Sequence, residues 1–75
     1  MFDYSFLRST IIKRFRTYRN FAHTIGINHV TLSLKLQNRI SFRQHEILEI
    51  SKLLRYSPAD MKKAFFTEKK TETGE

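Results

Sequence analysis

Arg8, Lys13, Arg14, Arg16, Arg19, Lys35, Arg39 and Arg43 fall between Tyr4 and His45, a stretch with no Asp or Glu. Guanidinium and ammonium groups at this density hold phosphates or other anions. All seven acids lie at Asp3 or from Glu46 onward, so the first half of the chain supplies the whole net charge of +7. Among the cations stand groups able to read a base edge. Asn28 and Gln37 can pair with adenine, His29 and Ser33 offer further polar contacts, and Val30 can meet a thymine methyl. Catalysis finds no support. The middle of the chain has no carboxylate for acid–base work, no glycine-rich phosphate loop and no Ser/His/Asp order. His23, His29 and His45 sit apart, without cysteine or a neighbouring acid, which argues against a metal centre. The chain therefore reads as a non-enzyme with no cofactor and no small-molecule substrate.

These groups need rigid elements to present them, and the segment Asn20–Leu36 supplies a helix–turn–helix pattern. Ala22 is small where a second helix must cross closely. Gly26, four residues on, can take the positive φ of a tight turn. Phe21, Ile25, Ile27 and Leu32 have the spacing to lock the two helices together. A third helix over about 29–37, capped by Asn28, would enter a groove, while Arg19, Arg39 and Arg43 would grip the backbone. The DNA-facing set is thus Arg19, Asn28, His29, Val30, Ser33, Gln37, Arg39 and Arg43.

The surrounding signals predict an all-α fold of five short helices. Asp3 caps a first helix over about 4–16, with Tyr4, Leu7, Ile11 and Phe15 inward. The second covers about 19–25. Residues 38–41 form a loop with Ile40 in the core. Ser41 and Gln44 read as a capping box for a fourth helix over about 42–54. Ser57-Pro58 with Asp60 starts the fifth. The domain spans 1–66. Residues 67–75 carry no apolar side chain and read as a flexible tail. A single domain of 75 residues buries only about 60% of its unfolded surface, and with no cysteine it has no disulfide. No run approaches the roughly 20 apolar residues of a membrane span, and no signal peptide is visible, so a soluble, intracellular protein is expected.

Phe2-Asp3-Tyr4-Ser5, Phe21-Ala22, Thr31-Leu32-Ser33-Leu34-Lys35-Leu36 and Phe65-Phe66 carry a resemblance. The chain is similar to the small helix–turn–helix regulators of temperate phages, of the Cro and repressor type. It is most similar to a subgroup that includes the modulator-of-repression antirepressors of lactococcal-type phage switches. The likeness covers residues 2–66. It implies a repressor-like DNA-binding domain acting in the lysis–lysogeny decision, in the cytoplasm of a bacterial host. It also implies opposition to the cognate phage repressor, through binding the repressor itself. One departure stands out. Where many members have glutamine at the start of the second helix, this chain has Tyr18, with Arg19 next to it able to take over the phosphate contact.

Two functions follow. The first is an antirepressor that binds the repressor and blocks its DNA binding. Its charged contacts would be Arg8, Arg16, Arg19 and Arg43, and its apolar anchors Phe6, Val30, Leu34 and Phe42. Leu34 favours this reading, being an odd side chain to aim at a DNA groove. The alternative is a Cro-like repressor that binds double-stranded operator DNA without a protein partner.

Overall fold

The computed structural model describes residues 1–68. Five helices follow in order: α1 Ser5–Phe15, α2 Tyr18–Ile25, α3 His29–Leu36, α4 Gln44–Leu53 and α5 Pro58–Phe65. The fold is all-α. Among the described residues there is no strand, only one antiparallel bridge between Phe2 and Glu68.

Side chains from all five helices meet in one core. Tyr4, just before α1, joins Leu7 and Ile11 of α1, Phe21 and Ala22 of α2, Leu32 and Leu36 of α3, Ile50 of α4, Leu54 just after it, and Ala64 and Phe65 of α5. Aromatic rings fill much of the space. Phe42 lies edge-on to Tyr4 at 5.2 Å and to Phe65 at 5.4 Å. Phe15 meets Phe21 at 5.0 Å, and Phe6 stacks on Tyr56 at 5.5 Å. Such offset and edge-on pairs add to the hydrophobic gain of burial.

Most boundaries follow local chemistry. Asp3 lies two positions before α1, one further out than a capping residue, and accepts from the Ser5 amide at 2.9 Å; the capping position itself is Tyr4, whose side chain makes no capping bond. Thr17, which sequence reasoning passed over, caps α2 by accepting from the Asn20 amide at 3.1 Å. Asn28 caps α3 through the Val30 amide at 2.7 Å. Ser57 and Asp60 exchange bonds of 3.1 and 3.2 Å in a reciprocal box at the start of α5.

Two expectations fail. The capping box of Ser41 and Gln44 is absent, and α4 starts at Gln44. Its box is instead half built by Glu46, whose carboxylate accepts from the Arg43 amide at 2.8 Å. A carboxylate at the third helical position is the stronger acceptor, and the Ser41 carbonyl is already held by Lys35 at 3.0 Å. Ile40 is not in the core but 41% exposed. Its loop is anchored on either side by Asn38 and by the Ser41 carbonyl, which leaves the isoleucine outside.

Three helices end in the same way. Gly26, Asn38 and Arg55 all have positive φ, at 77°, 65° and 57°. The residue after each donates back across five positions, Ile27 to the Ala22 carbonyl, Arg39 to Leu34 and Tyr56 to Ser51. This is the Schellman arrangement, which satisfies otherwise orphaned carbonyls. The two ends of the described segment are also tied. Asn38 brackets the Phe2 backbone, accepting from its N–H at 3.0 Å and donating to its C=O at 2.8 Å. The Asp3 amide donates to the Thr67 carbonyl at 2.7 Å. Ordered pairing therefore runs to Glu68, two residues past the expected domain end. The rest of the expected tail, 69–75, lies outside the described residues.

Candidate basic interface

The eight cations of the acid-free window separate into two groups. Three are taken into the fold. Lys35 is buried on α3, its ammonium 3.0 Å from the Glu46 carboxylate, bonded to the Ser41 carbonyl and lying over the Phe42 ring at 5.8 Å. Arg8 donates from α1 to the Leu36 carbonyl at the end of α3, at 3.0 Å, and lies over the Tyr18 ring. Arg14 donates to the Leu54 carbonyl after α4, at 2.9 Å. Both arginines sit where a helix C-terminus concentrates negative potential, which makes a cation there stabilising.

The other five, Lys13, Arg16, Arg19, Arg39 and Arg43, are exposed. No hydrogen bond or ion pair holds their side chains among the described residues. Arg19 opens α2, Arg39 follows α3, and Arg43 precedes α4, so three of the five flank the helix–turn–helix.

The residues on which the motif was read take their expected places. Ala22 is fully buried at the crossing of α2 and α3, and Phe21 and Leu32 lie beside it in the core. A β-carbon at Gly26 would meet nothing within 4 Å, so glycine is needed there for its φ and not for space. On α3, His29 and Val30 are exposed, Val30 at 54%. Gln37 is exposed and Ser33 half-buried, and the two are paired, the Gln37 amide donating to the Ser33 hydroxyl at 3.0 Å. Asn28 is exposed, but its carbonyl oxygen is spent on the Val30 amide. Its amide NH2 remains free to donate, so bidentate pairing with adenine would cost the helix its cap.

Three of the four expected apolar anchors are not free groups on this face; Val30 is the exception. Leu34 is half-buried. Phe6 is held between Tyr56 and the Lys63 ammonium, which lies 4.9 Å from its ring. Phe42 is packed between Tyr4 and Phe65. With Arg8 committed to Leu36, the partner set keeps Arg16, Arg19, Val30 and Arg43 as its accessible members.

Glu46 is the one acid built into this region. Burial pushes its carboxyl up. The Arg43 amide, the Lys35 ammonium and, more weakly, the charge of His45 outweigh that and hold it below the usual carboxylate range. His23, His29 and His45 stand on α2, α3 and α4, and no group of three or more metal-binding side chains comes together among the described residues. None of the described helices is long and apolar enough to cross a membrane.

A family model described as "Protein of unknown function (DUF739)" matches residues 1–68, the same span that the structure describes. The chain belongs to that family. Comparison with curated proteins found no match.

Proposed function

We propose that this DUF739 chain is a phage antirepressor, a helix–turn–helix regulator that binds its cognate repressor and blocks that repressor's DNA binding. The observation that carries the reading is Val30. It is an apolar, β-branched side chain 54% exposed on the first turn of α3, in a motif whose charges are all cationic. An exposed apolar anchor within a one-sign field suits an acidic protein surface, where charge speeds encounter and the buried anchor slows release. The resemblance of residues 2–66 to phage antirepressors supports the same partner, and with it a place in the bacterial cytoplasm.

Operator DNA is the second reading, and a separate observation favours it. Arg19, Arg39 and Arg43 are exposed and unengaged around the α2–α3 pair, and Gln37 with Ser33 offers a polar pair on α3. That is what gripping phosphates and reading a base edge require.

Calorimetry of the purified chain against the repressor's DNA-binding domain, and separately against operator duplex, tests both. A 1:1 complex with the repressor that Val30→Ala weakens supports the antirepressor. No complex at about 50 µM protein in low salt, with sequence-dependent duplex binding in its place, would transfer the function to the operator.

A further inference from the structure

Lys13, Arg14 and Arg55 line a hollow of about 530 Å³ between α1 and the connection from α4 to α5. Phe6, Ser9, Thr10 and Leu54 complete its wall, and no carboxylate stands in it. A further cation is close by, since the Lys63 ammonium lies 4.9 Å from the Phe6 ring. Ser9 and Lys13 share one edge of α1, a turn apart. Lys13 and Arg55 are exposed, and neither side chain is held by a hydrogen bond or ion pair among the described residues. Arg14 is fixed by its bond to the Leu54 carbonyl at 2.9 Å. A guanidinium has several N–H donors, so this bond orients the group and leaves donors over. It also covers a carbonyl that would repel an anion. The acids of α4 and α5 do not neutralise the cluster. Glu46 is paired with Lys35, and Asp60 accepts from the Ser57 amide. Glu49 lines the adjoining groove and makes no ion pair with Arg55.

The backbone at Arg55 points the same way. Of the three Schellman ends, two hold Gly26 and Asn38, residue types that tolerate a positive φ. The third holds Arg55 at φ 57°. A β-carbon there costs conformational free energy that glycine would not, and the turn makes no use of the guanidinium. Strained positions of this kind cluster at ligand clamps. Charge selects the ligand. Like charges gathered around one hollow repel until an anion joins them. A phosphate monoester carries about −1.5 to −2 at neutral pH and several strong acceptor oxygens, enough to offset most of the cluster and to accept from each cation. A carboxylate or a nucleic-acid phosphodiester brings a single charge and leaves the cluster strongly positive.

We propose that this hollow binds a phosphate dianion, with Lys13, Arg14 and Arg55 as its cations and the Ser9 hydroxyl as a further donor. Free inorganic phosphate and the terminal phosphate of a small ester share this chemistry. None of the lining residues belongs to α2 or α3, so the site is separate from the basic motif and does not depend on the function proposed for it.

Amide NMR of the full chain is the test, titrating sodium phosphate to about 20 mM against sodium chloride of equal ionic strength. Saturable shifts are expected at Ser9, Thr10, Lys13, Arg14 and Arg55, with a Kd of about 1 mM. A parallel titration with phenyl phosphate separates the sources. Tighter binding of the ester assigns the site to a phosphorylated small molecule, and equal or weaker binding assigns it to the free ion. Lys13→Glu should weaken binding by about tenfold. Arg55→Gly should weaken it by a similar factor while raising the midpoint of thermal unfolding by about 3 °C. An arginine with a structural role alone would not move those two readouts in opposite directions. Shifts that follow ionic strength alone, shifts confined to α2 and α3, or undiminished binding in either variant would overturn the proposal.

Discussion

The Lys35 ammonium and the Glu46 carboxylate meet at 3.0 Å, with side chains only 4% and 17% exposed. The pair joins α3 to the start of α4. Its acid is the first to follow the acid-free window, so one of the eight window cations is neutralised inside the fold. Lys35→Ala would leave Glu46 largely buried without its cation, and the Ser41 carbonyl without its donor. Breaking such a pair costs about 3–5 kcal/mol when fully buried; with Glu46 partly wet, a loss of about 2–3 kcal/mol in urea unfolding is expected. A loss under about 0.5 kcal/mol would mean that the pair is ordinary surface charge.

Glu46 also sets a pH dependence. Its folded-state pKa is depressed, so the stability it adds is fully present above the ordinary carboxylate value of about 4.3. That stability fades as pH falls through the lower, folded-state value. The midpoint of thermal unfolding should therefore drop on acidification below about pH 4.3. Glu46→Gln should start lower and lose part of that drop. Identical acid profiles for the two proteins would contradict this assignment.

Asn38 combines a left-handed backbone with two bonds to Phe2. Alanine there loses the bonds and keeps the strain, whereas glycine loses the bonds and relieves the strain. Asn38→Ala should therefore be the less stable of the two, by about 1 kcal/mol, with both below the parent by about 1–3 kcal/mol for the two lost bonds. Equal stabilities would show that the φ of 65° carries no cost.

At Gly26 the open space around a built β-carbon makes the cost conformational alone. Gly26→Ala should destabilise by about 1 kcal/mol and Gly26→Asn by less, since asparagine tolerates the left-handed region. Ala22→Leu, in contrast, overpacks a fully buried site and should cost about 1–3 kcal/mol. Calorimetric melts of the three variants give the order directly.

The split among the cations predicts opposite phenotypes. Arg8→Ala and Arg14→Ala remove donors to the Leu36 and Leu54 carbonyls. Each should lower stability by about 1 kcal/mol and leave the salt dependence of partner binding nearly unchanged. Arg19→Ala and Arg39→Ala should leave the melt unchanged. If the partner is DNA, each should flatten the salt slope by roughly one unit of log K per log salt. A flattened slope in Arg14→Ala would place that residue in the interface.

What could be read directly from the residues was whatever depends on chain neighbours. Gly26, Asn28 and Ser57-Pro58 act within three or four positions through backbone φ and capping bonds, so the helix–turn–helix and the start of α5 were visible without the fold. So was the inward stripe of Leu7 and Ile11, because helical periodicity is a local property. Only the tertiary structure decided the roles of the cations. Arg8 reaches a carbonyl 28 positions away and Arg14 one 40 positions away, and which helix end faces a given arginine follows from packing. Asn38 takes a left-handed turn that carries no glycine signal, held by Phe2 36 positions upstream. Phe6 and Phe42, read as anchors for a partner, are packed by rings from distant elements, while Ile40, read as core, is left outside by anchors on both sides of it. Charge and apolarity in a sequence state what a side chain prefers; the partner that satisfies it is set by where the chain brings the helix ends and rings together.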